Sequence, residues 1–405
     1  MDKKKIIIIG TGVVIVIGLA LFVFSGGSPK NGEETTTESE GFLSFLFPSS
    51  KDKEGEPFSS PSEQSGTEEF NIENYSTPGR LVQLTTKAVS GATFNEELLK
   101  VQYFEKATGH LYEIDVFGQN KKQRTITTIP KIFEVFFSAD ASKAVFQYLA
   151  EPEEESIVEP VFTFSATSLE KSDMEGIFLP LNTVAAASSP EEEKMFYLLE
   201  GKTTVGIVSD FENKNQKEIF YSPFGEFLTD WPSKNTITLL TKPTAYSEGY
   251  FYRLNPNTSS FVKVLGDIKG LTALYSPFGD LIIYGQSEGS GLSTKMFDIN
   301  KGTSLNFNYQ TLPEKCLWSP ASEDIIFCAV PVEIPYGRYP DDWYKGIVQF
   351  TDRLWQINIA DGSTQIVLEG GELDMINLFS NKTADFIFFQ NKKDGTLWSL
   401  QINNE

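Results

Sequence analysis

Histidine and cysteine are nearly absent from this chain: one of the first, His110, and two of the second, Cys316 and Cys328, in 405 residues. So few soft donors exclude a zinc site of the usual four ligands and a disulfide framework, and any Ser-His-Asp arrangement would have to use the one imidazole. Positive charge is scarce too. With 55 acids against 34 bases the formal net charge is −21, so a phosphate backbone is repelled and nucleic acid is not expected as a partner. The third absence is a sustained 3.6-residue period beyond residue 80, which leaves no amphipathic helix to build with.

What is present favours sheet. The chain is 40% apolar and carries 33 Phe and 15 Tyr, a composition suited to β structure and to one large core or two smaller ones. At the N-terminus, Lys3, Lys4 and Lys5 precede an uncharged apolar run from Ile6 to Phe24. As a helix rising about 1.5 Å per residue, this run matches the hydrocarbon thickness of a bilayer. Residues 1–24 are therefore expected to be a cytoplasmic lysine cluster and a single transmembrane signal anchor, with everything after them extracytoplasmic at the cell membrane. A cleaved signal peptide is the competing reading, with Val23-Phe24-Ser25 at the cleavage position. Its apolar core, however, usually runs about 7 to 15 residues, and this one is longer.

Residues 25–77 change character. Acids, Gly, Ser, Thr and Pro dominate, and such a segment buries too little apolar surface to offset its ordering entropy, so a disordered acidic linker is expected. One island, Gly41-Phe-Leu-Ser-Phe-Leu-Phe47, interrupts it. This heptad is apolar enough to dock on a partner or rest at a membrane interface, or it is a locally collapsed patch.

From Arg80 the pattern turns to period-two strands separated by turn residues. Seven look-alike hairpins follow, with turns near Phe94, Ser138, Ser189, Trp231, Ser276, Ser319 and Ser380. Most lie about 45 residues apart, the length of a four-stranded propeller blade, and the last spacing is longer because the sixth unit carries an insertion. In LYSPFGDLIIY, Leu274 to Tyr284, Pro277 presets φ and Gly279 tolerates a positive φ, so the chain reverses between two apolar strands. The seventh unit ends after three strands, whereas Arg80-Leu-Val-Gln-Leu-Thr-Thr86 belongs to no complete unit. That orphan strand is expected to supply the missing edge and close the ring. The fold class is thus all-β: a seven-bladed β-propeller over residues 78–405, closed by an N-terminal strand and preceded by the transmembrane helix and linker.

Tyr275 to Tyr284 (YSPFGDLIIY) and Trp318 to Phe327 (WSPASEDIIF) resemble the W-S-P-D-G-x-x-I-x-F repeat of TolB-type, WD40-like β-propellers. Leu354-Trp355-Gln-Ile357 and Leu397-Trp398-Ser-Leu400 resemble its third strand. The turn Asp of that repeat is replaced by Phe278 and Ala321. The resemblance covers about four fifths of the chain and implies a fold, not an activity, since the repeat serves binding scaffolds, translocation proteins and peptidase regulatory domains alike. The layout of anchor, acidic tether and propeller is also similar to membrane-anchored propeller proteins of candidate-phyla-radiation bacteria.

Candidate sites follow from the loops. The sixth-unit insertion, Pro331 to Gly346, carries Tyr336, Arg338, Tyr339, Asp341, Asp342, Trp343 and Tyr344, the side-chain types that anchor recognition surfaces. The alternative is that its aromatics plug the channel or pack on a neighbouring blade. Asp341 and Asp342 could also serve as general acid and base, although adjacent residues usually point apart. In the second unit, Glu151 to Glu159 holds five carboxylates in nine residues but no Ca²⁺-loop alternation, so it reads as a solvated loop. Gly285-Gln-Ser287-Glu-Gly289 spells a nucleophile elbow, yet a strand and not the required helix is expected after it. Cys316 and Cys328 lie on the two strands of one hairpin, near its turn, as a possible disulfide or as two free thiols. The reading as a whole is a non-enzymatic extracytoplasmic module, without a cofactor or metal, binding an envelope protein or glycan. The alternative is a glycosidase- or peptidase-like propeller enzyme using carboxylates on the loop-rich face.

Overall fold

The structure is a computed structural model that describes residues 81–151 and 159–402. The anchor segment 1–24, the linker 25–77 and the acidic stretch 152–158 lie outside the described residues. Among those described, no helix is long and apolar enough to cross a membrane.

Seven antiparallel sheets of four strands each make up the fold. Blades 1 to 6 span residues 89–123, 132–178, 183–222, 227–269, 272–306 and 316–368, and blade 7 spans 375–401. Within blades 1 to 6 the strands run in sequence order, each blade ending on an outer edge. The first strands of neighbouring blades lie against one another around the axis. They are stitched by hydroxyls: Ser90 Oγ donates to Ile132 O (2.5 Å), Ser188 Oγ to Phe137 O (2.6 Å) and Thr229 Oγ1 to Ala186 O (3.1 Å).

Blade 7 takes its fourth strand from the other end of the chain. Leu81–Gln83 pairs antiparallel with Leu397–Gln401, Leu81 opposite Leu400 and Gln83 opposite Trp398. Beyond the ladder, Leu84 N donates to Leu397 O at 2.8 Å and Leu397 N to Thr85 Oγ1 at 3.0 Å. The ring is therefore closed by hydrogen bonds between segments more than 300 residues apart, and the edge of Leu397–Gln401 is covered.

The turn chemistry explains the repeating serine. At the first hairpin turn of four blades its hydroxyl accepts a backbone N–H from within the same turn: Lys143 to Ser138 (2.9 Å), Glu192 to Ser189 (3.1 Å), Phe278 to Ser276 (3.3 Å) and Ala321 to Ser319 (3.3 Å). A short hydroxyl side chain does this without leaving the chain, so the residue is a turn former and not a nucleophile. Gly279 sits at φ 111°, where a Cβ would be strained.

Middle strands are buried on both faces and read as continuous apolar runs, as in Ile325–Pro331, IIFCAVP. Outer strands such as Thr303–Asn306 are exposed throughout. Each of the seven junctions between consecutive blades holds one apolar cluster. The closing junction is built like the others, from Phe388 and Leu397 of blade 7 against Val101 and Tyr103 of blade 1. Within blade 6, Cys316 stands directly opposite Cys328 with Cα atoms 4.1 Å apart, and the two are joined by a disulfide.

Candidate functional site

The blade-6 insertion leaves the strand Ile325–Pro331 and returns to Asp352–Asn358, its neck pinned by Val332 N donating to Thr351 O at 2.8 Å. The corresponding hairpin of blade 5 is tight, with only two residues between Leu281–Glu288 and Gly291–Asp298. A short neighbour leaves room for a long one to lie across it. Gly337 N donates to Ser290 O at the tip of that hairpin (3.1 Å), and the insertion reaches on to blade 4. There Asp341 accepts from Thr244 Oγ1 (2.8 Å) and Ala245 N (2.7 Å), in the loop between the second and third strands of blade 4. At Gly270, φ 65°, a Cβ would meet Tyr339 O at 2.7 Å, so only glycine lets the two backbones pass.

The insertion has a core of its own. Tyr339, Trp343, Tyr344, Val348 and Phe350 pack with Leu292 of blade 5, Leu312 of the following connection and Ile376 of blade 7. Tyr339 and Trp343 both stack on Phe350, with ring centroids 5.8 and 6.0 Å away. The expectation that Tyr339, Trp343 and Tyr344 face a partner is corrected accordingly: Trp343 is 2% exposed. These rings are worth more against apolar side chains than in water, and their polar tips find partners inside. Tyr339 Oη donates to Pro335 O at 2.6 Å, Tyr344 Oη bonds Glu314, and Trp343 Nε1 donates to Asp374 Oδ2 at 3.0 Å.

Asp374 belongs to a fully buried ionic cluster beneath the insertion. Lys315 Nζ lies 2.8 Å from Asp352 Oδ2 and 2.5 Å from Asp374 Oδ1, and all three side chains are shielded from solvent. Asp374 Oδ2 also accepts from Phe350 N (3.0 Å) and Asp352 Oδ2 from Met375 N (2.7 Å). Asp352 Oδ1 is buried with no hydrogen-bond partner. Burial pushes the Asp352 carboxyl up to about 6; Lys315 pulls it down and Asp374 pushes it further up. Burial by itself would lower the Lys315 ammonium, yet the two carboxylates carry it above its ordinary value. Lys392, from the equivalent loop of blade 7, points its ammonium at Trp343, 5.1 Å from the ring centroid, and burial lowers its pKa.

Two of the seven sequence-named residues remain displayed. Tyr336 is 87% exposed, and Arg338 lies over the Tyr246 ring, 5.1 Å from its centroid, while also bonding the Tyr246 hydroxyl. Tyr246 is 61% exposed and was not singled out in the sequence. Its signal was weak: one aromatic in a short polar loop. Ile347 and Val332 are exposed on the same insertion. The Asp341 carboxylate accepts from the blade-4 loop through both oxygens, and Asp342 Oδ2 accepts from Arg338 N at 2.7 Å.

The remaining motifs are structural or lie outside the described residues. Gly285 to Glu288 belongs to a strand that turns directly into another strand, so Ser287 sits on no elbow. His110 is hydrogen-bonded to Thr128 and Gln123, each at 3.0 Å, with no serine or carboxylate on its ring. Most of the acidic blade-2 loop is among residues 152–158. Among the described residues no three His, Cys, Asp or Glu side chains are grouped to hold a metal ion.

No family model matches the sequence, and no curated protein does. Among solved structures, the fold is similar to an oligogalacturonate lyase in complex with manganese, at TM-score 0.55 and 11% identity over 81% of this chain and 94% of that one. The WD40 domain of Pan2 from Neurospora crassa is similar at TM-score 0.52 and 10% identity, over 81% of this chain and 97% of that one. TolB from Acinetobacter baumannii matches at TM-score 0.40 and 14% identity, over 73% of this chain and 60% of that one. At such identities the likeness is one of fold.

Proposed function

We propose that this chain is a binding scaffold of the cell envelope, held at the membrane by its N-terminal segment. In this reading its loop face meets an envelope protein or glycan through Tyr336, Arg338 and Tyr246. The observation that carries the reading is the division of labour within the insertion. Tyr339, Trp343 and Tyr344 are spent as buried anchors and Asp341 as a clamp on blade 4, while Tyr336 and the Arg338–Tyr246 pair stand out on a support with little freedom left to lose. Aromatic and arginine side chains held in advance of binding cost little further entropy when a partner arrives, which is how small surfaces achieve affinity.

The test is capture from envelope extract and on a glycan array by the wild-type protein and by Tyr336→Ala, Arg338→Ala and Tyr246→Ala. All three sites are exposed, so Tm should hold while captured partner falls at least tenfold. Equal capture by all three variants would sink the reading.

A further inference from the structure

The exposed rings of the loop face do not end at Tyr246. Lys242, at the start of the same blade-4 loop, donates its backbone N–H to Glu226 O at 3.3 Å, and its ammonium lies 3.5 Å from Glu226 Oε1. Glu226 belongs to the connection from blade 3 to blade 4, residues 223–226, which also carries Phe224. The Phe224 side chain is 67% exposed, as open as Tyr246, and its backbone is fixed by Phe224 N donating to Ser222 Oγ at 3.0 Å. A second carboxylate reaches this connection from the loop between the second and third strands of blade 3: a Cβ on Gly225 would stand 3.4 Å from Glu200 Oε1. Glu200 is itself held, its N–H donating to Asn182 O (2.8 Å) and its carbonyl accepting from Asn182 Nδ2 (2.6 Å). Phe224 is thus an open ring on a connection that two carboxylates flank. The bases of these loops are Lys202 and Lys242, and Lys242 is engaged by Glu226.

We propose that Phe224, Glu200 and Glu226 form a subsite for an arginine or lysine side chain, and hence that the partner of the loop face is a basic, extended protein segment. The inference rests on the loop-face reading and narrows its partner. The face of an aromatic ring carries the negative part of its quadrupole and attracts cations, and a carboxylate nearby adds to the attraction. The molecule makes this pairing once for itself, where the Arg338 guanidinium lies 5.1 Å from the Tyr246 ring centroid. Phe224 offers an open ring for the same pairing with a cation brought by a partner. Net charge points the same way, since a chain of −21 gathers basic partners and repels acidic glycans. The partner is extended because its contacts are spread along successive loops, from the connection at Phe224 through Tyr246 to Tyr336 on the insertion.

The test titrates a fluorescein-labelled peptide of alternating Arg and Gly onto the full chain in lipid nanodiscs, read by fluorescence polarisation at about 0.15 M salt, where distant surface charges are screened. Binding should weaken about threefold or more in Phe224→Ala, as expected for a cation over an exposed ring, and at least as much in Glu200→Gln/Glu226→Gln. Two controls separate a site from bulk charge: Phe278→Ala removes an exposed ring at the opposite end of a blade, and Glu170→Gln an exposed carboxylate on blade 2. Both should bind as wild type does. All of these side chains are exposed, so Tm should hold throughout. No binding of the peptide, undiminished binding in Phe224→Ala, an equal loss in the two controls, or a Phe224-dependent preference for an Asp-Gly peptide or a neutral glucan would each overturn the proposal. Failure here is distinguishable from failure of the loop-face reading: capture from envelope extract that still falls in the Tyr336, Arg338 and Tyr246 variants would keep the face and reject only the basic partner.

Discussion

The junctions between blades and the core beneath the blade-6 insertion solve the same packing problem with different chemistry. Each junction is an apolar cluster, such as Phe327 and Leu354 against Met375 and Phe389 between blades 6 and 7. The insertion's core joins apolar rings to three buried charges, Lys315, Asp352 and Asp374, and to Trp343 and Phe350 through their N–H groups. Apolar contacts are non-directional, so seven of them tolerate variation and hold a ring whose geometry the strands already fix. A loop lacks such a ladder. A buried ionic cluster adds little net stability, but it penalises every arrangement that leaves one of its charges alone, and so it selects one placement.

Four perturbations bear on this contrast. The largest effect is expected from removing residues 78–87, which would uncover the edge of Leu397–Gln401 and open the closing junction. Loss of a cooperative thermal transition, or aggregation, is expected, and a normal melt would show that closure does not hold the ring. Next is Lys315→Met, which removes the ammonium shared by Asp352 and Asp374. It should cost about 3–5 kcal/mol in chemical denaturation, and a change under about 1 kcal/mol would mean the cluster has other support.

Glu134, on the first strand of blade 2, tests the ring instead. Burial raises its carboxyl to about 7. A raised acid contributes stability that is fully present below the unfolded value near 4.5 and is lost as pH climbs through the folded value. Glu134→Gln should therefore be more stable than wild type at pH 8, by about 1–3 kcal/mol after allowance for partial exposure, with the gap closing toward pH 4. A gap independent of pH would refute this. The smallest effect is local: Asp341→Ala removes the clamp on the blade-4 loop at a cost of about 1 kcal/mol. Hydrogen exchange at Ala245 should quicken while global melting barely moves, and an unchanged rate would mean the clamp is not what orders that loop.

Much of the ring was legible in the sequence. The hairpins near Ser138, Ser189, Ser276 and Ser319, the long sixth unit and the strand that zips blade 7 all appear where spacing and turn residues put them, because a strand with two apolar faces has few ways to be buried. The site was legible only in part. Tyr336 and Arg338 are displayed, but Tyr339, Trp343 and Tyr344 are not, and composition alone does not distinguish a ring offered to a partner from one packed on a neighbouring blade. A signal for the buried cluster did exist. Lys315 directly precedes the apolar strand Cys316–Trp318, and Asp374 sits between Leu373 and Met375. A charge embedded in an apolar run needs a buried partner.

By itself, the sequence determined that strands form, where they turn, how many blades stack and which segments close the ring. Those outcomes follow from local periodicity and from each hairpin's need to cover its apolar faces. Only the tertiary structure decided which way the insertion's aromatic rings point and that Tyr246 joins Arg338. Both depend on a tight blade-5 hairpin that leaves space above it and on carboxylates at positions 341, 352 and 374. These carboxylates find their partners only through tertiary contacts, which span from about 20 to almost 100 residues of sequence.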